Sequence, residues 1–312
     1  MGFGKGAGRD HMMSMTADEA LDAYEAARHR LPAPTPKLDA IERVASLSVL
    51  SGRFDVFLLD AFGVLNVGET VIPGAPKSVA KLQRDGKRVL VVSNAASVGT
   101  ADLLTKYTAL GFAFAQDNII TSRQTFSAMM NGNREQLWGV VAPDAADLRD
   151  LDLSHAKVLE DDPALYETCD SVLLIGTGDW TDARQALLET ALQQRSKPVL
   201  VANPDIVAPR ETGFSVEPGH IAHRLADVSD VKPEFYGKPF ANIFDMVFKR
   251  LGHVDRSRVV MVGDSLHTDI LGARAYGIAS ALIPGFGFFA DGNAEHAIER
   301  TGIWPDFLVD RP

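Results

Sequence analysis

The sequence predicts an α/β protein built on a parallel sheet with helices on both faces, and three observations carry that prediction. Apolar runs at 56–59, 89–92, 199–202 and 259–262 lack the alternation of a half-buried strand and read as strands covered on both sides. Amphipathic stretches such as 76–83 and 242–250 lie between them, the strand–helix alternation of crossover connections. At 312 residues the chain exceeds one ordinary core. Its middle carries strand-like pieces at 138–141, 172–175 and 199–202 around a helical stretch at 181–194, which reads as an inserted α/β unit.

Taken in order, the elements begin with residues 1–15, which hold glycines and a His11-Met12-Met13 run but no apolar core of a secretory signal. They read as a tag remnant without function. Residues 16–30 have acidic groups in front, basic groups behind and alanine–leucine spacing, a helix that complements its own dipole, and Pro32, Pro34 and Pro36 then break it. The strand–helix alternation starts at Ala45. Charge is 31 basic against 41 acidic residues, net −10, with no long basic run, which argues against nucleic acid and against an anionic membrane surface. A small solute is the expected partner. No apolar stretch approaches the roughly 20 residues of a membrane-spanning helix. The single cysteine, Cys169, excludes an internal disulfide framework and fits a reducing, cytoplasmic compartment. With no histidine near it in a recognisable pattern, it reads as a small buried side chain.

Four segments at strand ends carry chemistry. Asp60 follows the first buried run and leads through Ala61 and Phe62 to Gly63-Val64-Leu65; Ser93-Asn94 follow a second run; Lys238 stands between Gly237 and Pro239; Gly263-Asp264 open a stretch that reaches Asp269. Singly, each has a plain structural reading as a cap or turn. Together, a carboxylate, a hydroxyl, a lysine and two further carboxylates suit phosphoryl transfer. Asp60 would attack phosphorus, Lys238, Ser93 and backbone amides would balance charge, and Asp264 with Asp60 would hold Mg²⁺.

In this order and spacing the four segments resemble the motifs of the haloacid dehalogenase superfamily. They are similar above all to its phosphatase branch with a large α/β cap between the second and third motifs, the group of p-nitrophenyl phosphatases, pyridoxal-phosphate phosphatases and predicted sugar phosphatases. Ile72-Pro73-Gly74-Ala75, Ala202-Asn203-Pro204-Asp205 and Tyr236-Gly237-Lys238-Pro239 match at the level of that branch. The resemblance implies a Rossmann-like core over 45–135 and 232–312, a cap over 136–231, and an N-terminal arm, 1–44, that it leaves unexplained. It implies that Asp60 is nucleophile and metal ligand, that the backbone carbonyl of Phe62 and Asp264 complete the metal set, and that Ser93 and Asn94 bind phosphate. It implies further that Lys238 balances charge and that Asp269 supports it from behind. In the cap, Trp180, Thr181 and Asp182 fall in a loop that faces substrate in relatives, with Asp205 and Ala183 as further candidates; Thr181 or Asp182 reads equally well as a helix cap. The implied cofactor is Mg²⁺, the implied partner a small phosphorylated metabolite, and a homodimer through the cap stays open.

One residue departs from the pattern. Phosphatases of this family carry an aspartate two residues after the nucleophile, which protonates the leaving group and then activates water, help worth about 10²- to 10⁴-fold. Here that place is Phe62. An aromatic there is similar to the dehalogenases, whose leaving halide needs no proton, whereas Gly263-Asp264 is of the magnesium-binding type. The expected function is therefore a Mg²⁺-dependent phosphomonoesterase, slow unless the leaving group is good or His267, Glu69 or water replaces the acid; His267 reads otherwise as a polar turn residue and Glu69 as a solvated one. The alternatives are a phosphate-ligand binding protein that has lost turnover, or a dehalogenase-like displacement through Asp60.

Overall fold

The computed structural model describes residues 15–33, 36–37, 40–130, 135–143, 148–153 and 155–312. The His11-Met12-Met13 run and Pro34 lie outside the described residues. In chain order the strands are Glu42–Val44 (β1), Val56–Leu59 (β2), the hairpin Asn66–Val67 (β3) and Thr70–Val71 (β4), Arg88–Ser93 (β5), Ile119–Thr121 (β6) and Leu137–Val141 (β7). His155–Val158 (β8), Ser171–Leu174 (β9), Val199–Val201 (β10), the hairpin Val207–Pro209 (β11) and Phe214–Val216 (β12), and Glu234–Phe235 (β13) follow. Val259–Gly263 (β14), Ala279–Leu282 (β15) and Phe307–Val309 (β16) end the series.

Seven of these form one parallel sheet in the order β1-β16-β15-β14-β2-β5-β6. The apolar runs are continuous because this sheet is covered on both faces. Phe57, Leu59, Val89, Val91, Val260 and Val262 enter one core cluster, and Val56, Leu58, Leu90, Val92, Val259 and Met261 enter another. Alternate residues of a strand point to opposite faces, so each run supplies both cores. The middle of the chain forms a second, five-stranded parallel sheet, β13-β10-β9-β7-β8, and 199–202, read among both sets of strands, belongs to it. The expected division of the chain misplaces two short strands. β1 lies in the stretch assigned to the arm yet pairs with β16 at the edge of the core sheet. β13 lies in the stretch assigned to the core yet pairs with β10 of the cap sheet. Each has only two or three residues, too few to show a pattern in sequence.

The helix expected over 16–30 forms as Ala17–Ala26 (α1), followed by a short 3₁₀ turn at Arg28–Arg30. Thr16 caps it: the Thr16 hydroxyl accepts the Glu19 N–H while the Glu19 carboxylate accepts the Thr16 N–H, a reciprocal box that fixes the first turn. Among the described residues no helix is long and apolar enough to cross a membrane. Cys169 is buried in the cap core, as expected of a cysteine with no histidine pattern beside it.

Candidate active site

Strand order places the site. The chain runs from β2 outward through β5 to β6 on one side and through β14 to the opposite edge on the other, so β2 is where the order reverses, and crevices form at the carboxyl ends of strands at such points. Leu59 is in register with Val91 and Val262, so Asp60, Ser93-Asn94 and Asp264 leave the sheet side by side. Lys238 comes from the loop before helix Ala241–Leu251. Its Nζ lies 2.7 Å from Asp60 Oδ1 and 2.7 Å from Asp269 Oδ1. The Lys238 backbone is pinned by Asn94, whose Oδ1 accepts the Lys238 N–H at 2.8 Å while its Nδ2 donates to the Lys238 carbonyl at 2.9 Å.

The same Nδ2 donates to Asp205 Oδ1 at 2.8 Å, joining the core to the cap. Asp264 Oδ2 accepts the Phe288 N–H at 2.7 Å, and Asp269 Oδ2 accepts the Ser265 N–H at 3.1 Å. Two glycines make room for Asp264. Gly63, at φ 69°, and Gly287, at φ 64°, are both left-handed, and a Cβ on either would sit 2.3 Å or 1.9 Å from Asp264 Oδ2.

Asp60, Asp264 and Asp269 offer carboxylate oxygens that all lie within 4.8 Å of one another. One ammonium against three carboxylates leaves an excess of negative charge in a buried place, which is costly. Burial, then the neighbouring Asp269, pushes the Asp60 carboxyl up to about 7 despite Lys238. Burial, then Asp60 and Asp269, raises Asp264 well above the carboxylate range. Burial works against the Lys238 charge, but Asp269, Asp60 and Asp205 outweigh it and hold its pKa above the usual lysine value. An all-oxygen donor set with surplus negative charge fits a hard divalent cation.

These groups open on a cavity of ≈ 230 Å³ bounded on the cap side by Asn203, Asp205, the β11 strand, Arg210 and Glu217. Asp60, Phe62, Ser93, Asn94, Asp205 and Asp264 line it, while Lys238 and Asp269 stand behind Asp60. The cap-loop candidates lie elsewhere. Trp180 is buried in the cap core with Nε1 donating to Gln185 at 3.0 Å, and Thr181 caps the following helix by accepting the Arg184 N–H. Asp182 faces Arg224 and Ala183 is exposed; neither lines the cavity. The aromatic was read as a substrate contact, but its polar edge has an internal partner and its ring fills the core. His267, one candidate to replace the acid, is not placed for that task. It does not line the cavity, and its Nε2 meets Glu25 of α1 at 2.6 Å. Glu69 does line it, paired with Lys106 at 2.7 Å.

The cap wall is the β11–β12 hairpin, whose Arg210 and Glu217 form an ion pair at 3.0 Å. Glu217 is buried, and burial raises its pKa against Ser215, Arg210 and Asn203. Arg210 and Lys106 approach the Phe62 ring at 5.2 Å and 5.7 Å. Asn66, the first residue of β3, is 1% exposed and lines the cavity. Its Nδ2 donates to the Gly68 carbonyl at 2.7 Å, which fixes the amide and leaves Oδ1 without a partner. No motif marked Asn66, Arg210, Glu217 or Tyr24 of α1, which also lines the cavity.

Two family models match, haloacid dehalogenase-like hydrolase over residues 57–152 and its HAD-hydrolase-like counterpart over 235–311, together more than half of the chain. Human glycerol-3-phosphate phosphatase is 27% identical over 283 residues, 82% of this chain and 88% of that protein. A possible sugar phosphatase from Cytophaga hutchinsonii superposes with a TM-score of 0.76 at 24% identity, covering 86% of this chain and 98% of that one. The 4-nitrophenylphosphatase from Thermotoga maritima follows with a TM-score of 0.67 at 23% identity over 84% and 96%.

Proposed function

This chain belongs to the haloacid dehalogenase-like hydrolases, and on that premise we propose that it is a divalent-metal-dependent phosphomonoesterase acting on a small phosphorylated metabolite. The carrying observation is the single ammonium of Lys238 set 2.7 Å from both Asp60 and Asp269, with Asp264 in the same cluster, at the mouth of a parallel sheet. Relatives named for glycerol 3-phosphate and 4-nitrophenyl phosphate support the reaction class.

An Asp60 oxygen attacks phosphorus, the bond from phosphorus to the leaving oxygen breaks, and an aspartyl-phosphate forms. Ser93 and the turn amides after β5 hold the phosphoryl oxygens, and Lys238 offsets their charge. Mg²⁺, held by Asp60, Asp264 and the Phe62 carbonyl, would add positive charge beside the phosphoryl group. Water then attacks the aspartyl-phosphate, releasing phosphate and regenerating Asp60. Phe62 can move no proton in either step. We assign that task to Asp205, which lines the same cavity and is held by Asn94; burial pushes its carboxyl up to about 8, so it carries a proton at neutral pH.

Purified protein with Mg²⁺ should release phosphate from glycerol phosphate or p-nitrophenyl phosphate, and Asp60→Asn should abolish the release. Silence across a broad ester panel would overturn the proposal. Phe62 favours a second reading, a binding protein without turnover. Mg²⁺-dependent thermal stabilisation by a phosphate ester that stays intact for hours would select it.

A further inference from the structure

The N-terminal arm lies outside both segments that match the family models, and no catalytic motif falls in it. It nevertheless reaches the cavity. α1 buries Ala20, Leu21 and Tyr24 in one apolar cluster that also takes Leu266 and Phe288 from the core and Ile206 and Phe214 from the cap. Tyr24 sits at that seam. Its ring stacks on His267 of the core, centroids 4.8 Å apart and planes 11° from parallel. Its hydroxyl accepts the Ile206 N–H of the cap at 3.0 Å.

The ring is 2% exposed, and Tyr24 lines the cavity with Asp60 and Asp264. Flanking ties hold it there. Glu25 meets His267 at 2.6 Å, Arg30 meets Asp227 of the cap helix Pro218–Val228 at 2.5 Å, and Asp22 pairs with Arg300 of the core.

We propose that the arm is a fixed third wall of the cavity and that Tyr24 is a specificity-determining residue, bounding the leaving group and shutting out phosphate esters as large as nucleotides. This rests on the phosphomonoesterase reading. Any swing of the ring would break both the stack and the bond to Ile206, so Tyr24 excludes by volume. Its oxygen already accepts one bond, so its proton is left to donate to a ligand. The cavity of ≈ 230 Å³ is smaller than the ~300–1,000 Å³ of drug-sized ligand sites, enough for a phosphoryl group and a compact leaving group.

The test compares kcat/KM for glycerol phosphate and adenosine monophosphate in wild type, Tyr24→Phe and Tyr24→Ala. Wild type should favour glycerol phosphate. Tyr24→Ala should narrow that preference by at least about tenfold, chiefly through a lower KM for the nucleotide. Tyr24→Phe, which keeps the ring, should leave the preference within about threefold of wild type. Equal losses on both esters in Tyr24→Ala would mean a structural role only and overturn the proposal. If Tyr24→Ala does not fold, Tyr24→Trp must depress turnover of the nucleotide more than of glycerol phosphate. If wild type cleaves neither ester, the phosphomonoesterase reading has failed on its own. The wall is then read by binding: with Mg²⁺ present, adenosine monophosphate must raise the Tm of Tyr24→Ala more than that of wild type, and an equal rise would reject it.

Discussion

Phe62 sits beside the nucleophile with cations near its ring, Arg210 at 5.2 Å and Lys106 at 5.7 Å, and none of these side chains can do the work of a carboxylic acid at neutral pH. An acid at position 62 would add to the one assigned to Asp205, and it would matter most where the departing oxygen is basic. Phe62→Asp should therefore raise turnover of glycerol phosphate by about tenfold or more while changing p-nitrophenyl phosphate much less. Parallel initial-rate measurements decide it, since equal gains would mean that the acid step is not limiting. Asp205→Asn should do the reverse, depressing glycerol phosphate the more. If Asp205 gives the proton, wild-type kcat on glycerol phosphate should also fall as pH rises through about 8, where its carboxyl ionises. A flat profile there rejects the assignment. Asp60, Ser93, Asn94, Lys238 and Asp264 were legible because each follows a buried strand or a fixed turn, and backbone position is what sequence pattern encodes. Trp180 was not, because the direction of a side chain depends on a partner, Gln185, that the loop itself does not announce.

At the scale of elements, α1 was legible as a helix and illegible as a wall. Its capping box and charge gradient are local, whereas the groups that receive Leu21 and Tyr24 come from 206–214 and 266–303, far along the chain. Thr16→Ala should weaken the first turn by ~1 kcal/mol. Hydrogen exchange of the α1 amides should then quicken by about fivefold while those of β2 stay unchanged; uniform acceleration would mean that α1 opens only with the whole molecule. The strands that set the site were legible because two-sided burial writes itself as unbroken apolar runs. β1 and β13 were too short to leave such a trace.

For the molecule as a whole, buried acid makes stability depend on pH and on cation together. Asp60 is raised to about 7 and Asp205 to about 8, above an unfolded value of about 4. The native chain thus keeps protons that the unfolded chain has lost, and the stability these groups contribute is lost as pH rises from about 4 to about 8. Buried His223, lowered to about 4, acts in the opposite sense below its unfolded value, so the clean window lies above about pH 6.5. Chelated protein should melt lower at pH 8.5 than at pH 6.5, and Mg²⁺ should raise Tm more at the higher pH. A chelated Tm that stays level would show that the carboxylates are not under strain. The seam filled by α1 also bears on how the molecule is made. The arm is made before its partners, since β1 pairs with β16 and α1 packs against 266–303, segments far downstream of both. α1 and β1 must wait for those segments, and the cavity receives Tyr24 only once Ile206, His267 and Phe288 have been made, so a chain still short of them has an open pocket.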